Sequence, residues 1–320
     1  MKSQTIELNL INDSIFGKYD IIFIGEQHNI ASNDSIEAFL TLKLASNATK
    51  VLLELGYDQN YVLNNFFTKK DTTTINLLSP NVSGSALSGV LYNLKITPKA
   101  IDILTKENFS KELVLKAYST KETPIQVKND IKEFSEIGMM RSPHVVKNMN
   151  KYDHFLENYR KNQALHMKYL GADSIKIVEY FESLKASIES ACDPNASIDL
   201  SNFREDFMYK MVEKEIHKNV ISINGHSHIC LDPKFKDKRI KNKKWSPLAY
   251  KVKTKFPDKK VCSIYLLNIK KDIYFAEDYP DELKYIVKNI EANKRYIIKL
   301  DYPNSPFKAL QSKYTFIVVY

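Results

Sequence analysis

Residues 20–29 read Asp-Ile-Ile-Phe-Ile-Gly-Glu-Gln-His-Asn: four apolar residues in a row, Ile21 to Ile24, closed by Gly25-Glu26-Gln27-His28-Asn29. A short continuous apolar run stopped by glycine is the pattern of a strand buried on both faces, as in a parallel sheet flanked by helices. Further along, Val220 to Ile223 is a second run, apolar but for Ser222, closed by Gly225-His226-Ser227-His228. Two strands of this kind deliver histidines to one edge of a sheet, and the carboxyl edge of an open α/β sheet is where ligands collect. Imidazole is also the side chain most easily set to proton transfer or metal binding near neutral pH.

The pattern extends outward from Ile21. Asn33 or Asp34 is expected to cap a helix whose apolar face is Ile36, Phe39, Leu40 and Leu44. Val51-Leu52-Leu53-Glu54-Leu55 reads as a second strand, stopped by Gly56, and a helix through Val62, Leu63 and Phe66 follows Asp58. A βαβα unit of this kind implies parallel strands, expected to be adjacent. Residues 98–119 read as helix and Pro124 to Val127 as a third strand. The stretch 143–192 is rich in helix formers, with Gly171 the internal break, and Phe203 to His217 forms another helix running into Val220. The tail holds β-rich runs at Val261 to Leu267, Tyr296 to Leu300 and Thr315 to Tyr320. The expected fold class is α/β: a three-layer domain, residues 1–320, with a mostly parallel central sheet and a helical insertion over approximately residues 131–218.

Composition narrows the functional classes. The 320 residues carry a net charge of +9, from 47 Lys and Arg against 38 Asp and Glu, concentrated only between Lys234 and Lys244. No nucleic-acid-binding module accompanies that charge, so a solvated basic loop is expected and no nucleic-acid partner. Cys192, Cys230 and Cys262 are distant and odd in number, which suggests neither a disulfide framework nor a zinc site and fits a reducing compartment. No secretory signal and no run of about 18 apolar residues is present, so a cytoplasmic protein without a transmembrane segment is expected.

The chemistry-bearing residues are few. Glu26 and His28, two apart after a strand, share one side, which suits a general-base pair or half of a metal site. Glu54 interrupts an apolar strand, where an unpaired carboxylate would cost several kcal/mol, so it needs a partner such as His28. His226 and His228 alternate across Ser227 and can face one ligand. Together His28, Glu54, His226 and His228 suit Mn²⁺, Fe²⁺ or Zn²⁺ about equally. The other histidines, His144, His154, His166 and His217, fall in helical segments and are expected at the surface or in caps. Cys230 is expected to be a small buried residue. A calcineurin-like metallophosphatase is set aside because its Asp-x-His, Gly-Asp-x-x-Asp and Gly-Asn-His-Glu motifs are missing.

Several of these positions, in order, resemble the superfamily that groups erythromycin esterases, haem-binding ChaN-like lipoproteins, and the TIKI and TraB proteins. Gly25-Glu26-Gln27-His28 looks like the Gly-Glu-x-His of the ChaN-like branch. Val51-Leu52-Leu53-Glu54 is similar to the strand that ends in a functional glutamate. Arg204-Glu205-Asp206-Phe207-Met208 is similar to the esterases' Arg-Asp-x-x-Met, with Glu205 where Asp is usual, and His228 takes the place of the late histidine. The resemblance implies a hydrolase of ester, lactone or peptide bonds in which His28 is general base or metal ligand, Glu54 orients it, His228 and His226 bind metal or stabilise an oxyanion, and Glu26 and Arg204 balance charge. Gly225 stands where the esterases carry an additional histidine, and no arginine occurs between Ile30 and Lys50, which points away from a macrolide substrate. Two other readings accompany it: a ChaN-like protein that binds haem or metal without catalysis, with Tyr57 and the aromatic helices lining its pocket, and a degenerate member serving as an interaction module. The expected partner is a small-molecule or peptide substrate.

Overall fold

Eight strands form one sheet in the order β1-β7-β8-β6-β2-β5-β3-β4. The strands are β1 (Thr5–Glu7), β2 (Ile21–Glu26), β3 (Lys50–Gly56), β4 (Lys99–Asp102), β5 (Val220–Gly225), β6 (Val261–Leu267), β7 (Tyr296–Lys299) and β8 (Phe316–Val319). This computed structural model describes residues 5–11, 15–28, 30–46, 48–56, 59–70, 72, 84–102, 122–137, 149–175, 177–178, 199–217, 219–233, 246–268, 288, 294–300 and 308–320. The run from β8 through β4 is parallel throughout, and β7 is antiparallel to its neighbours β1 and β8. The expected mostly parallel α/β sheet is what forms.

The two central strands are β2 and β5, paired in parallel from Ile21↔Val220 to Glu26↔Gly225. Every residue of β5 is buried, as is Ile21 to Gly25 of β2, which is the physical reason Ile21 to Ile24 is apolar without alternation and why the two polar side chains of β5, Ser222 and Asn224, bond to each other. Even so the sheet is two-faced. Ile22, Ile24, Val51, Leu53, Ile221 and Ile223 join a core with the helices α1 (Ala31–Leu44), α2 (Asn60–Phe67) and α3 (Ala86–Asn93). Ile21, Phe23, Leu52 and Val220 face the opposite way. Between β4 and β5 the described elements are all helices: α4 (Ile125–Ile137), α5 (Met149–Lys161), α6 (Gln163–Leu170) and α7 (Asp199–Glu213). Met208 and Val212 of α7 and Leu248 and Val252 of α8 (Leu248–Lys255) build the second core. A short α9 (Lys308–Gln311) precedes β8. Helices on both faces of one sheet make three layers.

Four expectations from the sequence are corrected. Strands β2 and β3 are not neighbours, because β5 lies between them and pairs with both; its burial at every residue suits this enclosed place in the sheet. Pro124 to Val127 is not a strand but the start of α4, proline at a helix entrance being favourable since its missing N–H has no partner there anyway. Residues 99–102 are a strand rather than helix, and 103–119 lie outside the described residues. Helix α1 starts at Ala31 without a side-chain cap. Asn33 is used elsewhere, and Asp34 instead accepts the Ala86 and Leu87 N–H groups at 2.6 and 3.0 Å, capping α3 from across the fold. The basic stretch 234–244 and Cys192 also lie outside the described residues.

Among the described residues no helix is long and apolar enough to cross a membrane.

Candidate functional site

The carboxyl ends of β2, β3, β4 and β5 each contribute one part of a single charged cluster, and α7 supplies two more. Glu26 ends β2, Glu54 lies near the end of β3, Asp102 ends β4 and Gly225 ends β5. The switch from β2 to an inserted β5 opens the sheet's crevice at this edge, the place where α/β sheets bind ligands.

Glu54 is the centre. Its side chain is 6% exposed, and its two oxygens are divided among four donors. Oε2 accepts the Gly225 N–H, and Oε1 pairs with Nη2 of Arg204, with His228 Nε2 at 3.3 Å and with His28 Nε2 at 3.7 Å. Burial alone would raise this carboxyl; the charges of His228, His28 and Arg204 outweigh it and hold Glu54 well below the usual carboxylate range. The partner that a carboxylate in an apolar strand requires is therefore three cations rather than one.

Each cation is in turn held from behind. Arg204 donates from Nε to Asp102 Oδ1 at 2.7 Å and from Nη2 to Oδ2 at 2.6 Å, a two-pronged pairing that suits the planar guanidinium. Asp102 and Glu54 keep Arg204 charged against the cost of burial. His228 Nδ1 is bonded to Glu205, which is fully buried one residue after Arg204 on α7. Burial works against the His228 cation, but Glu205 and Glu54 push its pKa up to about 10. His28 Nδ1 lies 3.0 Å from Glu26 Oε1, and Glu26 with Glu54 pushes this imidazole up to about 9. Glu26 is itself fixed by Asn33, whose Nδ2 donates to Oε2 at 2.9 Å and to the Gln27 carbonyl at 2.7 Å, while Asn33 Oδ1 accepts the Tyr320 hydroxyl.

Glycine is required at 225. A Cβ there would lie 2.7 Å from His28 Nε2 and 3.3 Å from Glu54 Oε2, so any side chain would push His28 away from Glu54.

The cluster brings together His28, Glu54, His228, Glu26 and Arg204. His226 does not join in the manner expected. Its backbone N–H donates to the Glu26 carbonyl at 2.8 Å, and its ring packs toward Tyr265 with centroids 5.9 Å apart. Among the described residues no three His, Cys, Asp or Glu side chains gather as a group that could hold a metal ion. The chemistry of the donors gives the reason: a divalent ion at Glu54 would have to displace a guanidinium, and both imidazoles nearby already have a carboxylate on Nδ1. The four-residue set His28, Glu54, His226 and His228 therefore does not fit a metal.

Two residues of the cluster escape sequence reading. Asp102 interrupts the apolar run Ala100 to Leu104 in the way Glu54 interrupts its own, but a helical reading of that segment hides the signal. Glu205 stands inside the Arg204 motif; one residue apart on a helix, the two reach different strands. Of the other histidines, His154 is exposed beside Asn158 and His217 is exposed, as expected, whereas His166 is fully buried, 2.7 Å from Asp130 and stacked on Tyr159. Cys230 is buried, with its thiol pushed up to about 12 by desolvation, which removes it as a nucleophile. The aromatic residues expected around a planar cofactor are engaged in packing: Phe155 lies 6.2 Å from Phe134 and 5.6 Å from Tyr159. His144 and Tyr57 lie outside the described residues.

No family model matches the chain, and no curated protein matches it. Solved structures do. A histidine-to-asparagine mutant of the erythromycin esterase EreC, in its open conformation, superposes with a TM-score of 0.58 at 13% identity over 95% of this chain and 90% of that one. A protein from Bacillus cereus gives 0.64 at 13% identity over 99% and 95%, and a succinoglycan biosynthesis protein gives 0.66 at 12% identity over 99% and 94%. At such identities the likeness concerns architecture, and it extends over nearly the whole of each chain: this protein has the fold of the erythromycin esterase EreC.

Proposed function

We propose that the protein is a hydrolase of ester, lactone or peptide bonds in which His28 is the general base. The observation that carries this reading is a half-exposed imidazole bracketed by carboxylates, at 3.0 Å on Nδ1 and 3.7 Å on Nε2, at the carboxyl edge of the central strands. The His28 side chain is 56% exposed, while Glu54 and His228 beneath it are almost fully buried. Substrate therefore meets His28 first.

In this mechanism Glu26 fixes the proton on Nδ1 and leaves Nε2 as the acceptor in the neutral ring. Nε2 takes a proton from water as the water oxygen attacks the carbonyl carbon, and returns it to the departing oxygen or nitrogen. Arg204 uses Nε and Nη2 on Asp102 and Glu54, so its Nη1 hydrogens remain for the oxyanion that develops. His228, too buried to touch substrate, acts on Glu54: its charge keeps that carboxylate ionised beneath His28. The segment 131–218 is proposed as a helical insertion within one domain of 1–320, covering the site and choosing among small-molecule or peptide substrates.

The test is turnover of a panel of esters, lactones and peptides by the wild type and by His28→Ala. The variant should lose about 10²–10⁴-fold in rate, the usual contribution of a positioned base, with its melting temperature nearly unchanged because the side chain is exposed. Full turnover by His28→Ala, or none by the wild type on any class of the panel, would remove the proposal.

A further inference from the structure

We propose that the protein has a second binding site, for a small phosphate-bearing molecule, in a cleft wrapped around the free edge of β4. The cleft encloses about 360 Å³ and lies at the amino ends of β3 and β4, the opposite end of these strands from Glu54 and Asp102. It is independent of the hydrolytic reading.

Three lysines from three elements line it. Lys50 opens β3, Lys99 opens β4 and Lys214 follows the end of α7. Lys50 and Lys99 share the α7 face of the sheet, because Lys50 stands two residues before Leu52 and Leu52 is in register with Lys99. Lys99 is committed to Glu215, a carboxylate only 9% exposed. Lys50 and Lys214 have no ion pair among the described residues. Among the described residues that line it, three cations against one anion leave a surplus of two positive charges, which matches a phosphate dianion.

The opposite wall is polar and neutral. Asn64 of α2, Thr68 just after it and Thr97 before β4 face the same space, with the Thr68 and Thr97 hydroxyls 2.9 Å apart. The edge of β4 does not compete for the ligand or invite another strand. Asn60 accepts the Ala100 N–H at 2.8 Å and donates to its carbonyl at 2.9 Å, so a side-chain amide stands where a neighbouring strand would be. Met211 and Ile101 form the apolar floor that gives a ligand more than charge to rest on. Point-charge ammonium groups with hydroxyl donors are a phosphate-binding set. Arginine is absent from this lining.

The probes are inorganic phosphate and pyrophosphate, titrated into the full chain by calorimetry at fixed ionic strength. Variants are Lys50→Gln with Lys214→Gln and, as a charge-matched control away from the cleft, Lys253→Gln with Lys255→Gln on the exposed side of α8. Saturable one-to-one binding is expected, about tenfold or more weaker for each cleft lysine removed and unchanged in the control. Equal loss in the control would mean that net charge alone attracts the anion, and absence of saturable binding to the wild type would mean that there is no site; either overturns the proposal. Binding of a single-stranded oligonucleotide in preference to both probes, lost with the same lysines, would also overturn it and make the cleft a nucleic-acid surface. Thermal melting of all variants separates lost binding from lost fold.

Discussion

At the scale of the residue, the cluster is held by buried charge. Glu205 is fully buried and His228 nearly so, and a pair of this kind is costly to break from one side. Glu205→Ala should destabilise the fold by about 3–5 kcal/mol, read from urea unfolding, because it strands a buried cation. A loss under about 1 kcal/mol would show that water already reaches His228. The pH dependence follows from the two directions of shift. Glu54 is depressed, so its contribution to stability is present above pH 4.5 and is lost as pH falls through its lowered pKa. His228 is raised, so its contribution is full below pH 6.5 and is lost as pH rises toward about 10. The cluster should therefore stabilise most between these limits. The melting-temperature gap between wild type and His228→Asn is expected to shrink from pH 6.5 to 10, and a constant gap would mean that His228 carries no charge in the folded protein.

At the scale of the element, what could be read from sequence followed the source of each signal. Strands β2, β3, β5 and β6 were legible because burial on both faces forces largely apolar runs. So was the demand of Glu54 for a partner, since nothing apolar can satisfy a carboxylate. Strand β4 was not, because an edge strand of four residues is too short for its apolar residues to be told from those of a helix, and its order comes from Asn60 and from pairing with β3. Asp102 was lost with it. The β2–β5–β3 order was hidden for a different reason: about 160 residues part β3 from the strand that pairs it to β2, and loop-closure entropy grows too slowly with length to forbid such a return. Asn60→Ala tests the role of that side chain. Two hydrogen bonds to a partly buried edge are lost, so stability should fall by about 1–3 kcal/mol, and the unprotected edge should raise the aggregation rate seen by light scattering. If neither changes, the edge is guarded by something else.

At the scale of the molecule, two ends of one sheet do different things. The carboxyl ends gather three acids, two histidines and an arginine around Glu54, and the amino ends of β3 and β4 gather lysines around a cleft. Strand β4 takes part in both, with Lys99 at its start and Asp102 at its end. The fold shared with EreC explains the placement and leaves the chemistry to the side chains. The spacing of the histidines suggested metal binding, but the arginine of a distant helix already occupies the carboxylate that a metal would need.

His28, poised over Glu54, is the proposed base of a hydrolytic site. The most direct measurement is kcat/KM against pH for the best-hydrolysed ester, in wild type and in His28→Ala. Because the two carboxylates hold His28 protonated at neutral pH, the wild-type rate should rise with pH along one ionisation, above the ordinary imidazole value of 6.5 and toward about 9, and this limb should vanish in the variant. A profile that is flat or falling over that range, or a rising limb that survives in His28→Ala, would contradict it.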